Sequence, residues 1–119
     1  MNEEQWGQLW RALADPTRRK ILDLLVTGPR TTGQLAEAFP DLTRYGVMKH
    51  LGLLERAGLL SVRRQGRLRW NYLNPVPLRA LYERWLIRFM EPVTANLLSL
   101  QRHVEQTNKS TKNSEEDPS

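Results

Sequence analysis

Apolar residues recur at Trp6, Leu9, Trp10 and Leu13, the i, i+3, i+4, i+7 stripe of a helix with one buried face. Asp15 and Pro16 then restart the chain. An Asp at the N-cap accepts orphaned backbone N–H groups and a Pro fits the first helical turn, so a second helix is expected to run to about Thr27, with Ile21, Leu24 and Leu25 inward. Gly28 and Pro29 end it, and Thr31 or Thr32 caps a short third helix carrying Leu35, Ala36 and Phe39. Pro40 and Asp41 break that helix, and Thr43 is placed to cap a fourth, running to roughly Ala57. In the fourth helix Val47, Leu51 and Leu54 share one face. Tyr45, Lys49 and Gly52 fall opposite, with Arg44 and Met48 on a flank.

Beyond Gly58 the period changes. Leu59 to Arg64 and Leu68 to Leu73 read as two strands joined through Gln65, Gly66 and Arg67, a hairpin with a basic tip. Pro75 and Pro77 close it, and Leu78, Leu81, Tyr82, Trp85, Leu86 and Phe89 stripe a fifth helix. Pro92 is expected to kink or break this element, after which Val93, Leu97, Leu100 and Val104 resume the helical period to about Gln106. From Thr107 to Ser119 no residue is apolar, so this stretch has nothing to bury against the cost of ordering and is expected to be a disordered tail. The expected architecture is mainly α with a two-stranded β-hairpin, one domain over 1–106 and a tail over 107–119.

Composition narrows the function. A chain of 119 residues has room for one modest core. Between Thr43 and Trp70 stand Arg44, Lys49, Arg56, Arg63, Arg64, Arg67 and Arg69 against Glu55 alone, a local net charge of +6 in a chain whose total is +5. A basic excess gathered in one stretch is the footprint of a polyanion binder, whereas a merely solubilising surface mixes its signs. The chain has no cysteine, which excludes disulfides, thiolate metal sites and Cys nucleophiles. Two isolated histidines supply no nucleophile and base pair, so no enzyme is expected. The polar, acidic start at Met1 to Gln8 is unlike a signal peptide, and no apolar run approaches the ~20 residues that cross a bilayer, so a cytoplasmic protein is expected.

Two helices, a short helix, a turn, a helix and a hairpin in that order form the winged helix-turn-helix pattern. Its use follows from groove dimensions: a helix fits the DNA major groove, and a basic hairpin tip reaches along phosphates or into the minor groove. Arg44 and Lys49 can donate to guanine edges or phosphates, Thr43 and Tyr45 suit phosphate or sugar, and Met48 suits a thymine methyl. Arg63, Arg64, Arg67 and Arg69 supply wing charge for phosphates. Gly46 and Gly52 each cost about 1 kcal/mol of helix stability relative to Ala, for close DNA approach or for packing. A protein-interaction or RNA-binding module is the competing reading.

At these residues the resemblance to a family becomes specific. The run from Leu13 through Asp15, Pro16, Thr17 and Arg18 to Leu22 resembles the second-helix opening of arsenic-repressor (ArsR) type regulators. Leu42 to Leu51, then Leu54 to Leu59, is similar to their recognition helix, and Gly66-Arg67 through Tyr72-Leu73 to Pro77-Leu78 to their wing and closing helix. The resemblance covers roughly Leu9 to Phe89. It implies a homodimer built from the first and last helices, repressing transcription from a palindromic operator, with Thr43, Arg44, Tyr45, Met48 and Lys49 facing bases or flanking phosphates. Trp6, Leu9, Trp10, Leu81, Trp85 and Phe89 are the expected dimer interface.

The departure from the family lies in its metal sites. The stretch Thr31 to Phe39 carries no Cys or His, and on the last helix only His103 and Glu105 stand near one another, two residues apart and so on different faces. No metal or cofactor is expected, and the resemblance is to the cysteine-free branch of the family. An apolar effector between the terminal helices, near Trp6, Trp10, Trp85 and Phe89, is left open. His50, at the edge of the inner face of the fourth helix, is expected to pack or to hydrogen-bond so as to orient that helix. Trp70 is expected to brace the hairpin, and Arg18, Arg19 and Lys20 to form a solvated cluster.

Overall fold

The computed structural model describes the backbone of residues 1–111 and the side chains of residues 1–90 and 97–105. Helix α1 spans Glu3–Ala14, α2 Pro16–Leu25, α3 Thr32–Glu37 and α4 Arg44–Arg56, with a two-residue strand β1, Arg30–Thr31, ahead of α3. Strands β2, Leu60–Gln65, and β3, Leu68–Leu73, form the hairpin. Helix α5, Val76–Leu81, a π-helical turn at Tyr82–Leu86 and helix α6, Ile87–Thr111, complete the chain.

The caps explain where helices begin. Asn2 and Gln5 close a reciprocal capping box on α1, and Thr31 and Gln34 close another on α3. Asp15 accepts from the Arg18 backbone N–H at 3.1 Å, and Thr43 from the Gly46 N–H at 3.0 Å. Helix α4 ends in a Schellman turn: Leu59 N–H reaches Leu54 O at 3.0 Å and Gly58 N–H reaches Glu55 O at 2.9 Å. Gly58 makes this possible at a φ of +80°, where a Cβ is penalised.

The chain divides into two compact units, 1–80 and 81–119. In the first, Leu9, Ile21, Leu35, Val47, Leu51, Leu54 and Leu59 are wholly buried, each helix stripe contributing to one core. The sheet is antiparallel with order β1-β3-β2, Thr31 opposite Trp70 and Arg63 opposite Trp70 from the other side. Asn71, fully buried in the central strand, donates through Nδ2 to Arg30 O and Thr32 Oγ1, both at 3.2 Å, and so ties the sheet to the start of α3.

Several boundaries differ from expectation. Helix α2 stops at Leu25, and Phe39 lies beyond the end of α3 although it is buried. Strand β1 was not expected, since two residues carry no periodicity. In the second unit α6 continues through Pro92 instead of breaking there, and the irregularity falls earlier, at the π-helical turn, where Ile87 N–H bonds Tyr82 O. Helix α6 also covers 107–111, part of the expected tail; residues 112–119 lie outside those described.

Candidate nucleic-acid interface

Burial sorts α4 into two faces. Val47, Leu51 and Leu54 are inaccessible, while Tyr45 is 78% exposed and Thr43, Arg44, Met48 and Lys49 are exposed beside it. Fixing Val47, Leu51 and Leu54 in the core sets the rotation of the helix, so the outer face is presented as a consequence of packing. Three sites hold α4 and the turn before it: the α3–α4 connection, where Leu42 N–H reaches Phe39 O at 3.0 Å, the Thr43 cap, and His50.

His50 Nδ1 accepts from Arg18 Nη1 at 3.1 Å and stands 4.0 Å from Asp15 Oδ2. With an always-charged donor on Nδ1, the neutral ring carries its proton on Nε2. Arg18 goes on to cap α1, donating through Nε to Ala12 O at 3.0 Å and through Nη2 to Arg11 O at 2.8 Å, while Arg19 Nη1 reaches Leu13 O at 2.7 Å. These bonds correct the reading of Arg18 and Arg19 as a solvated cluster: the last carbonyls of α1 need donors, and the two arginines supply them. Lys20 lies over the Phe39 ring, 5.2 Å from its centroid. Burial opposes ionisation of Asp15, but the Arg18 backbone bond, the Arg18 guanidinium and His50 outweigh it and hold the carboxyl below its ordinary value.

The hairpin stands beside the N-terminal half of α4. Its two-residue loop, Gly66-Arg67, is closed by the Gln65–Leu68 pair, with Gly66 at a φ of +61°. Strand alternation separates the arginines. Arg64 pairs across with Arg69, and Arg63 with Trp70, so these pairs project from opposite faces of the hairpin. A groove of about 700 Å³ opens between α4, the start of α3 and the hairpin; Arg44, Tyr45, Met48, Arg64 and Arg67 line it, and no carboxylate does.

Arg69 departs from the expectation of a phosphate contact. Its guanidinium donates to Glu55 Oε1 at 3.0 Å and to Asn71 Oδ1 at 2.9 Å, and its side chain is only 12% exposed. Its charge is matched by Glu55, and it ties the hairpin to the C-terminal end of α4. Trp70 is half-buried in the sheet as a brace, with its Nε1 buried and without a hydrogen-bond partner among the described residues. The groove also takes in Thr31 and Thr32, which sequence reasoning assigned only to capping α3, and Gly33, to which it gave no role. The strand pairing that brings them there had no signal in the chain.

The expected interface residues divide as well. Leu9 has no exposed surface and is part of the core of the first unit, so it has none to offer a second subunit; an i+3 position on the inner stripe of α1 is where a core residue belongs. Leu81 is likewise buried. Trp6 is half-buried and Trp10 exposed on α1; Trp85 and Phe89, both exposed, stack on each other at 5.2 Å in the second unit. Among the described residues no cluster of three or more His, Asp or Glu is placed to hold a metal, and no helix is long and apolar enough to cross a membrane.

A core-fixed helix with a cationic outer face, preceded by a short helix and a turn and flanked by a basic hairpin, defines a winged helix-turn-helix DNA-binding regulator, a class distinct from enzymes. A helix-turn-helix domain model matches residues 13–63. The chain is 37% identical over 84 residues to the transcriptional repressor SdpR of Bacillus subtilis, spanning 71% of this chain and 91% of that one. The crystal structure of an ArsR family transcriptional regulator superposes with a TM-score of 0.70 at 37% identity, covering 79% of this chain and 95% of the other. The homodimeric winged helix-turn-helix DNA-binding domain of a Mycobacterium bovis protein superposes with a TM-score of 0.59 at 26% identity, covering 71% and 79%. The chain belongs to the ArsR family of transcriptional regulators.

Proposed function

We propose that the protein is a homodimeric repressor that reads a palindromic operator with the outer face of α4 and grips adjacent phosphates with the hairpin. The observation that carries this reading is the groove itself: exposed Arg44, Tyr45 and Met48 on one wall, Arg64 and Arg67 on the other, and no carboxylate between them. Arg44 and Lys49 donate to base edges or phosphates, Met48 meets a thymine methyl, and Thr43 and Tyr45 hold the backbone. Arg63, Arg64 and Arg67 neutralise phosphates from the two faces and tip of the hairpin. Two such modules related by a two-fold axis place their reading helices about 34 Å apart, in successive major grooves.

Support for the dimer comes from the family likeness and from the apolar surface each unit leaves uncovered: Trp10 on α1, and Trp85, Phe89, Leu97 and Leu100 along the second unit. The test uses the protein's own promoter region as probe. Replacing Arg44 and Lys49 together by Ala is expected to reduce affinity at least tenfold at physiological salt, with footprinting showing protection lost on both half-sites; unchanged affinity would remove α4 from the reading role.

A further inference from the structure

A second cationic feature lies on the first unit outside the α4–hairpin groove. Gln8, Arg11 and Ala12 of α1, Arg18 of α2, and Leu53 and Arg56 of α4 line a cavity of about 220 Å³. Three guanidiniums share this lining with no carboxylate. Among the described residues neither Arg11 nor Arg56 forms a salt bridge, and Asp15, the acid that meets Arg18, is outside the lining.

One of the three arginines is also held in place. Arg18 is fixed by its bonds to Ala12 O, Arg11 O and His50 Nδ1, which use one hydrogen on each nitrogen and leave two N–H groups to donate. Arg11 and Arg56 lie back along their own helices over glycines one turn earlier. A Cβ on Gly7 would stand 3.4 Å from Arg11 Nη1, and one on Gly52 would stand 3.7 Å from Arg56 Nη1. Both distances are ordinary van der Waals contact, so the two arginines lie along their own helices and an alanine would fit beneath each of them.

We infer that this cavity binds a phosphate-type oxyanion, received between Arg11, Arg18 and Arg56. Guanidiniums that share one cavity wall with no carboxylate in it match the planar, bidentate donation that phosphate and carboxylate oxygens accept. The volume exceeds one phosphate group, so a small organic phosphate fits as well as a bare one. The oxyanion has two available sources, a free small molecule or a phosphate of DNA running past the C-terminal end of α4. The second source rests on the DNA-reading role of α4. In either case the anion touches Arg18, one of whose three side-chain hydrogen bonds holds His50, the neighbour of Lys49.

The experiment uses the full chain and the Arg11→Gln/Arg56→Gln double variant, two exposed positions that leave Arg18 in place. Inorganic phosphate is titrated at constant ionic strength while the arginine Nε–H resonances are followed by NMR. The salt dependence of duplex binding is measured alongside. Free-anion binding predicts saturable shifts at Arg11, Arg18 and Arg56 in the wild type, weakened at least tenfold in the variant. A DNA source predicts that the variant lowers the log–log salt slope by about 1 to 2. Absence of both effects would overturn the inference. An Arg44→Ala/Lys49→Ala variant separates the two ideas: if it leaves duplex affinity intact, the reading role of α4 fails, while the phosphate titration still decides the cavity.

Discussion

Arg69 and Arg67 are two residues apart and carry the same charge, yet the fold gives them different work. Arg67 sits exposed in the hairpin loop, whereas Arg69 satisfies a buried amide oxygen and a carboxylate. Arg69→Ala is therefore expected to leave Asn71 Oδ1 unpaired and to destabilise the protein by about 1–3 kcal/mol in urea unfolding. Arg67→Ala is expected to leave the unfolding midpoint unchanged and to lower the salt slope of DNA binding by about 0.9. Asp15 gives a third residue-level outcome. Because its carboxyl is held below 3.8 in the folded chain, its charge stabilises the protein above that value, and the contribution fades as pH falls through the folded value. Asn keeps the N-cap but not the charge. The stability gap between wild type and Asp15→Asn, measured by urea unfolding, is thus expected to be fully present above pH 3.8 and to narrow below it as pH falls through the lower folded value.

At the scale of elements, caps and loops decide what the helices and hairpin present. Thr43→Ala removes the bond to Gly46 N–H and is expected to cost about 1 kcal/mol, with a loss of DNA affinity from fraying at the reading end of α4. Gly66→Ala forces a Cβ into the left-handed region at the hairpin loop and is expected to cost about 1–2 kcal/mol, read as a lowered urea midpoint. These elements were legible in the chain because their signals are local: an Asp or Thr before an apolar stripe, a Gly after it, alternation around Gly66. The faces of α4 were legible for the same reason, since helical period alone separates Val47, Leu51 and Leu54 from Tyr45 and Lys49. What was not legible depends on contacts distant in sequence. Strand β1 exists only through β3, and Arg69 is neutralised only because a hairpin residue meets Glu55 of α4. Charge counting along the chain could not tell Arg69 from Arg67. Pro92 misled for a different reason: a proline inside a helix removes one backbone hydrogen bond without necessarily ending the helix, and α6 runs through it.

For the whole molecule, the open question of partners concerns the surfaces the chain leaves uncovered. Trp10 on α1 and Phe89 on α6 are both exposed to a degree unusual for large aromatics, while Leu9 is spent on the core. Replacing Trp10 and Phe89 together by Glu is expected to shift the protein from dimer to monomer in analytical ultracentrifugation, and to reduce operator affinity far more than Arg67→Ala does. A dimer of unchanged stability would place the interface elsewhere.

The bond from Arg69 to Glu55 has one more consequence. By joining the loop end of the hairpin to the C-terminal end of α4, it constrains the opening between the two as the jaws of a caliper are held by their screw. Under the proposed DNA-binding role of α4 and the hairpin, a duplex is then expected to be gauged for width before any base is touched. Operators with a stiff, narrow minor groove where the wing lands and those with a wide one are expected to differ in affinity even with identical contacted bases, and loosening the screw with Glu55→Gln should blunt that preference.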